Sequence, residues 1–417
     1  MKSIYAELLT IGDEILFGQI TDTNSQWMSQ QLSDIGIKVI RKTSVGDQEE
    51  EILNAFAEAE KRADVILITG GLGPTSDDLT KPCLSQYFNS PLEMNEEALQ
   101  EVTAFFKSRG RELTELNRQQ AALPAACEKI TNPVGTAPGM WFDRGNKIFM
   151  SMPGVPHEMK RMMRDHVLPR LKNKFELPVI YHQVIRTIGQ GESFLAEKIA
   201  NWEKALPAHI KLAYLPSLGE VKLRLTCYGE SLEKLKEEAH HQTQLLIDRI
   251  GSYIYGYGED PIEVAIGKLL LEKNLTLSIA ESCTGGNVSR MITSVPGSSS
   301  YFQGSIIPYS YEIKMAQLGI KPETLEAFGA VSEQTIVEMA TNVRQRFSTT
   351  IGVATSGIAG PGGATPEKPV GTVWIAYADE QRVITKKLQL STERHLNIQL
   401  ASMAVLNLIR LGIKERK

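Results

Sequence analysis

Residues 65–78 read VILITGGLGPTSDD. From Val65 to Thr69 no side chain is charged, and the polar–apolar alternation of a half-wet strand is absent. Such a run predicts a strand buried on both faces, the kind found in parallel sheets. Gly70, Gly71 and Gly73 then break it, and Thr75 or Ser76 can cap a following helix. Working outward, YAELLTIG (5–12) and IKVIRKTSV (37–45) are two further strands. Between them, DTNSQWMSQQLSDIG (22–36) repeats Trp27, Met28, Leu32 and Ile35 at helical spacing, with N-cap candidates from Asp22 to Ser25 and a stop at Gly36. DQEEEILNAFAEAEKRAD (47–64) is a helix with acids in its first turn, where the helix dipole favours them. Strands alternating with helices predict a parallel, doubly wound α/β sheet.

The same reading divides the whole chain of 417 residues into three parts. The first is expected over 1–172, closing with the helix in MPGVPHEMKRMMRDHVLPRL (152–171). A small α+β unit is expected over 178–256: a strand in VIYHQVIRTIG, a helix in ESFLAEKIANWEKAL, a hairpin in IKLAYLPS and EVKLRLTCYG, and a longer helix after it. The third, 259–417, opens with Pro261 before IEVAIGKLLLEKN. It continues through strands in LTLSIAESCTGG, STTIGVATSGIAGPGG and GTVWIAYAD to a long amphipathic helix, ERHLNIQLASMAVLNLIRLGI.

Composition narrows the function. Hydrophobic residues make up 42% and charged residues 23%, with a net charge of -4, so there is no global basic field for nucleic acid or an anionic membrane. Cys83, Cys127, Cys227 and Cys283 form no CxxC pair, which excludes a zinc ribbon and suits a reducing, cytoplasmic setting. The acids Glu7, Asp13 and Glu14 break up the N-terminal stretch, so it does not read as a signal peptide, and no run was expected to span a bilayer.

Acids stand at three predicted strand ends: Asp13 and Glu14, Asp47, then Asp77 and Asp78. Ligands of open α/β sheets bind at that edge, and free glycine amides there can hold phosphate. Carboxylates beside a phosphate call for a divalent cation between them. Taken singly, Asp22, Asp47 and Asp77 each read more readily as a helix N-cap than as a ligand. In the middle unit, IGQGES carries Gly189 and Gly191 one residue apart and then Glu192, unlike the GXXG clamp of a nucleic-acid-binding KH domain. In the third part, Ser282 precedes Thr284, Gly285 and Gly286, a turn whose amides can face an oxyanion, although on residues alone a serine before glycines is more often an N-cap than a nucleophile. Six of the seven histidines precede this part and the seventh, His395, lies on the last helix, so no Ser-His-Asp triad is indicated. Lys314, five residues beyond Tyr309, is the candidate base if burial holds it neutral. Cys283 lacks a histidine partner and reads as packing.

The stretches LLTIGDEILFGQITDTNSQWMSQQL and LITGGLGPTSDDLTK resemble the MoaB/MoeA-type molybdopterin-binding fold. NRQQAALP, NPVGTAPGMW and MPGVPHEMK narrow the resemblance to the CinA family of competence/damage-inducible proteins. That resemblance implies a metal-dependent ADP-ribose pyrophosphatase, a KH-like connector and a C-terminal domain of the nicotinamide mononucleotide deamidase type. It carries over Asn24, Gly70, Gly71, Gly73 and Thr75 as substrate positions and Asp13, Glu14, Asp77 and Asp78 as metal candidates, the metal unspecified. AESCTGG, VPGSSSYFQGSIIPYSYEIK, GAVSEQT and ATSGIAGPGGATPEKPVGTVWIA are similar to the deamidase domain. There the resemblance makes Ser282 the nucleophile, Lys314 its base and Tyr309 a proton relay or orienter, with no metal required. Ser356, Gly357, Gly360, Gly362 and Gly363 would shape the pocket or receive the substrate phosphate. The family usually reads AYSNEAK where this chain reads PYSYEIK, placing Pro308, Tyr311 and Ile313 at altered positions. A homodimer is expected, and nucleic acid is not an expected partner. The rival reading is a binding module that carries molybdopterin or assists DNA uptake.

Overall fold

The computed structural model describes residues 3–416. The chain divides into two compact units, one running to Tyr181 with Tyr228–Leu235, the other comprising His182–Cys227 and the chain from Lys236.

The first unit is built on strands β1 (Tyr5–Ile11), β2 (Lys38–Val45), β3 (Val65–Thr69), β4 (Glu128–Ile130), β5 (Gly139–Arg144) and β6 (Lys147–Met152). They form one sheet in the order β2-β1-β3-β6-β5-β4. Helices α1 (Thr23–Asp34), α2 (Glu49–Arg62) and α3 (Thr80–Tyr87) connect or follow the first three strands. Every residue of β3 is buried, as its unbroken apolar run predicts. Ile66 and Ile68 enter one core with Leu9 and Phe149, while Val65 and Leu67 enter the other with Leu8 and Met150. The sheet is not wholly parallel. The β1–β2, β1–β3 and β3–β6 pairs are parallel, but β5 pairs antiparallel with both β6 and β4. A tight hairpin through Gly145 (φ +67°) joins β5 to β6 and reverses the direction.

Strands β7 (Val179–Ile188), β8 (Ile210–Ser217), β9 (Glu220–Gly229) and β10 (Ile254–Tyr257), whose residues fall mostly in the second unit, make a sheet ordered β8-β9-β7-β10. Helix α4 (Glu192–Lys204) follows β7 and α5 (Leu232–Ile250) follows β9. The hairpin expected from the sequence is formed, its register running from Ile210–Cys227 to Ser217–Glu220, whereas β10 has no counterpart in the sequence reading. Next come α6 (Ile262–Glu272), β11 (Leu277–Glu281), α7 (Asn287–Thr293), β12 (Phe302–Ile306), α8 (Tyr311–Leu318), α9 (Glu333–Arg346), β13 (Ile351–Gly357), β14 (Thr372–Ala378), β15 (Val383–Gln389) and α10 (Arg394–Lys414). The sheet order is β12-β11-β13-β14-β15, parallel over its first three strands and antiparallel beyond.

Helix α10 corrects one expectation. By length and composition it is apolar enough to cross a membrane, the one such helix among the described residues. It is a core helix instead: Ala401, Val405, Leu406, Ile409 and Ile413 are fully buried. Gly412 lets it lie on β14, because a Cβ there would come within 2.7 Å of the Tyr377 ring.

Candidate active sites

At the carboxyl edge of the first sheet, the ends of β1, β2, β3 and β6 surround a cleft of about 400 Å3. Glu14, Asp47, Asp77, Asp78 and Glu158 line it, together with Gly70, Gly71 and Gly73. Gly70 is irreplaceable there, since a Cβ would lie 2.1 Å from the Ile11 carbonyl oxygen at a φ of +97°. Asn24 donates from Nδ2 to the Gly154 carbonyl (2.7 Å) and so ties α1 to the loop after β6.

The structure redistributes the predicted roles. Asp78 turns back on its own loop, accepting from the Gly73 amide (2.7 Å), the Thr75 amide (2.9 Å) and the Thr75 hydroxyl. Those amides, expected to hold phosphate, are therefore occupied by a carboxylate. Asp13 and Asp47 clasp each other, each side chain accepting from the other's amide (3.0 and 3.3 Å). Burial raises the Asp47 pKa, and the nearby charges of Asp13, Glu14 and Asp77 add to it, against the hydrogen bond from Asp13. Asp47, one of the strand-end acids read from the sequence, lines the cleft, and Glu158, which the sequence reading did not include, joins it. Among the described residues, no three His, Cys, Asp or Glu side chains form a ready-made metal cage. Oxygen donors spread around an open cleft fit a hydrated cation rather than one enclosed by protein.

The second site lies at the carboxyl end of β11. Ser282 follows that strand directly, its amide bonded to the Thr355 carbonyl of β13 (2.9 Å). Lys314 comes from α8, whose N-cap Ser310 accepts from the Ile313 amide. Its Nζ lies 3.1 Å from Ser282 Oγ and 2.7 Å from the Pro308 carbonyl. Both residues are buried, Lys314 to 1% exposure. Removal from water disfavours the ammonium and lowers the lysine pKa to about 8. Cys283 is buried beside them, and burial pushes its thiol up to about 12, so it stays protonated at neutral pH. The pocket in front of the pair measures about 240 Å3.

Glu281, the first residue of the ESCTGG turn, is the feature the sequence reading passed over. Fully buried, it accepts from the Thr284 hydroxyl (2.7 Å), the amides of Gly286, Val288 and Ser289 (3.0, 3.0 and 2.8 Å) and the Ser289 hydroxyl (2.6 Å). Its carboxylate caps α7 from inside the protein. The Gly286 amide, expected to face an oxyanion, is consumed, Thr284 is turned inward, and the Gly285 amide bonds the Ser282 carbonyl (3.2 Å).

Tyr309 is also reassigned. Its hydroxyl accepts from Arg394 Nη2 (2.8 Å) at the pocket mouth, and only its backbone carbonyl faces Lys314, at 3.5 Å. The side chain precedes the N-cap of α8 and points outward, 60% exposed. Arg394 in turn donates from Nη1 to the Gly360 carbonyl (2.8 Å), so one exposed guanidinium is held over the entrance. Gly360, Gly362 and Gly363 line the pocket as expected. Ser356 shapes the wall, its hydroxyl spent on the Ala330 carbonyl (2.6 Å), and Gly357 is required by close packing on Val373.

Comparison with known proteins matches these three regions in order. Residues 7–173 match a probable molybdopterin binding domain, 182–256 the damage-inducible protein CinA KH domain, and 259–413 the CinA C-terminal domain. A CinA-like protein of Cytophaga hutchinsonii is 51% identical over 414 residues, with 99% of each chain covered. A putative competence-damage inducible protein of Halothermothrix orenii is 41% identical over 94% of each. A crystal structure of a CinA protein of unknown function from Thermoplasma acidophilum, 34% identical, covers 42% of this chain and 99% of its own, with a TM-score of 0.38. The molecule is thus an α/β protein with a molybdopterin-binding-type domain, a KH domain and a CinA C-terminal domain. The chain belongs to the CinA family.

Proposed function

We propose that the Ser282 pocket is a metal-independent amidase acting on nicotinamide mononucleotide, and that the N-terminal cleft is a metal-dependent ADP-ribose pyrophosphatase. The observation that supports the amidase is the contact of 3.1 Å between Lys314 Nζ and Ser282 Oγ, with the amine brought near neutrality by burial. With a pKa of about 8, about a tenth of the lysines are neutral at pH 7. Neutral Lys314 takes the Ser282 proton as Oγ attacks the carboxamide carbon, and the resulting ammonium returns it to the leaving nitrogen, releasing ammonia. Water, deprotonated by the same amine, then cleaves the acyl-serine to give nicotinate mononucleotide. Arg394 at the mouth supplies the charge to hold the substrate phosphate.

In the N-terminal cleft, Glu14, Asp47, Asp77 and Glu158 would hold the cation, which supplies charge neutralisation at the pyrophosphate. Asp13 positions Asp47, and Asn24 holds the loop that closes the far side. The scattered acids and the loop amides taken by Asp78 support a second reading of this cleft as a passive pterin carrier. Release of AMP from ADP-ribose, abolished by EDTA, separates the two, since a carrier releases none. For the amidase, ammonia release should survive EDTA and fall at least ~100-fold in Lys314→Ala. Undiminished release by Ser282→Ala would sink the assignment.

A further inference from the structure

Tyr311 carries a hydroxyl at the edge of the Ser282 pocket, and the structure gives that hydroxyl a task. The residue opens α8, 46% exposed, on the rim of the Ser282 pocket. Its hydroxyl accepts from the Ala330 amide (3.1 Å), while the Ala330 carbonyl accepts from the buried Ser356 hydroxyl (2.6 Å). The Ala330 peptide is thus held at both ends, by Tyr311 from the rim and by β13 from within. Ala330 and Val331 form a wall of the pocket. The preceding residue, Gly329, sits at a φ of +74°, and its carbonyl is fastened to α9 through the hydroxyls of Ser332 (3.0 Å) and Thr335 (2.8 Å). Lys368 Nζ holds the Phe328 carbonyl (2.8 Å).

Resting on the amidase reading, we infer that Tyr311 is a positioning residue: its hydroxyl pre-sets the Ala330–Val331 wall and thereby the affinity of the pocket for its substrate. The chemistry at Ser282 and Lys314 does not pass through it. Losing such a contact removes binding shared by ground and transition states, which raises KM and leaves kcat in place. A single neutral hydrogen bond corresponds to about fivefold in affinity.

The test uses the full chain with nicotinamide mononucleotide, comparing wild type, Tyr311→Phe, and Ile313→Ala as an exposed neighbour outside the pocket. Hydrogen exchange over residues 326–333 is followed in parallel. Tyr311→Phe is expected to raise KM about fivefold with kcat within about twofold, and to speed exchange of the Ala330 amide by a similar factor. Ile313→Ala is expected to match wild type in both. A fall in kcat at unchanged KM, or unchanged exchange at Ala330, overturns the inference. If wild type and Ser282→Ala alike release no ammonia, the amidase reading is what fails. The exchange arm then decides the role of Tyr311 by itself: faster exchange upholds it and unchanged exchange ends it.

Discussion

At the scale of single residues, Lys314, the base of the proposed amidase, is also a structural burden. Its folded pKa, about 8, lies below the ordinary lysine value of 10.5, so the folded state binds fewer protons than the unfolded one between those limits. Stability contributed by this group therefore rises with pH across that window and is least at neutral pH. Replacing it with methionine removes the charge and keeps the volume, while leaving the Pro308 carbonyl without its donor. We expect Lys314→Met to be inactive yet more stable than wild type by ~1–2 kcal/mol at pH 7, with the gain shrinking toward pH 10. Denaturation at several pH values checks this, and a variant equally destabilised at every pH would refute it. The same ionisation predicts that kcat/KM climbs with pH and levels off above about 8. That Ser282 and Lys314 share one pocket was legible through the family resemblance of two long motifs, since on residues alone a serine before glycines reads as an N-cap. The parts of Tyr309, Thr284 and Gly286 were misread because a residue's presence in a motif does not reveal where its polar atoms point.

Elements fix that direction. A serine followed by small residues reads as a turn that leaves its amides free, and the sequence offers no sign that Glu281 will fill them. The reason is geometric: the carboxylate reaches donors three to eight residues later, a spacing that matches neither helix nor strand periodicity. Since α7 starts at Gly286 with a φ of +97° and no side-chain cap of its own, Glu281 is its internal substitute. Glu281→Ala would remove the shared acceptor of three amides and two hydroxyls, leaving the buried Val288 amide without a partner while Thr284 keeps its contact with Thr355. The expected cost is about 3 kcal/mol, with loss of activity because Ser282 is the next residue in the chain. Urea unfolding of the variant measures it, and a loss below ~1 kcal/mol would show that the turn holds itself. The mixed direction of the first sheet escaped sequence reading for a different reason. The segment 139–152 carries the polar turn DRGNK (143–147) between two apolar runs, a hairpin signal that the alternation of strands and helices elsewhere in the domain overshadowed.

At the scale of the whole molecule, the question is what the KH module does. Its loop at Gly189–Glu192, together with α10 residues Met403 and Asn407 and β15 residue Leu388, lines a cleft of about 490 Å3, so the loop faces the C-terminal domain. Two buried arginines fasten the module there. Arg186 pairs with both oxygens of Glu220 (2.8 and 3.0 Å), with Tyr255 on the same carboxylate, and donates to the Glu259 carbonyl (2.6 Å) at the start of the C-terminal domain. Arg410, 1% exposed on α10, donates to the carbonyls of Ile254 (3.1 Å) and Ser252 (2.8 Å) at β10. Neither was singled out in the sequence, where Arg410 interrupts an apolar helix and invites a solvent-facing reading. An arginine buried against carbonyls is stabilising only while both partners stay docked, because each alone leaves unpaired polar groups. Arg410→Leu should therefore cost about 2–4 kcal/mol and loosen the KH module before the C-terminal domain. Hydrogen exchange of the full chain would show protection lost first over 182–256, while ammonia release, if the amidase reading holds, stays within about twofold because Ser282 and Lys314 are held by β11 and α8. Uniform loss of protection across 182–416 would instead mean that the module and the domain fold as one cooperative body whose unity does not depend on this arginine.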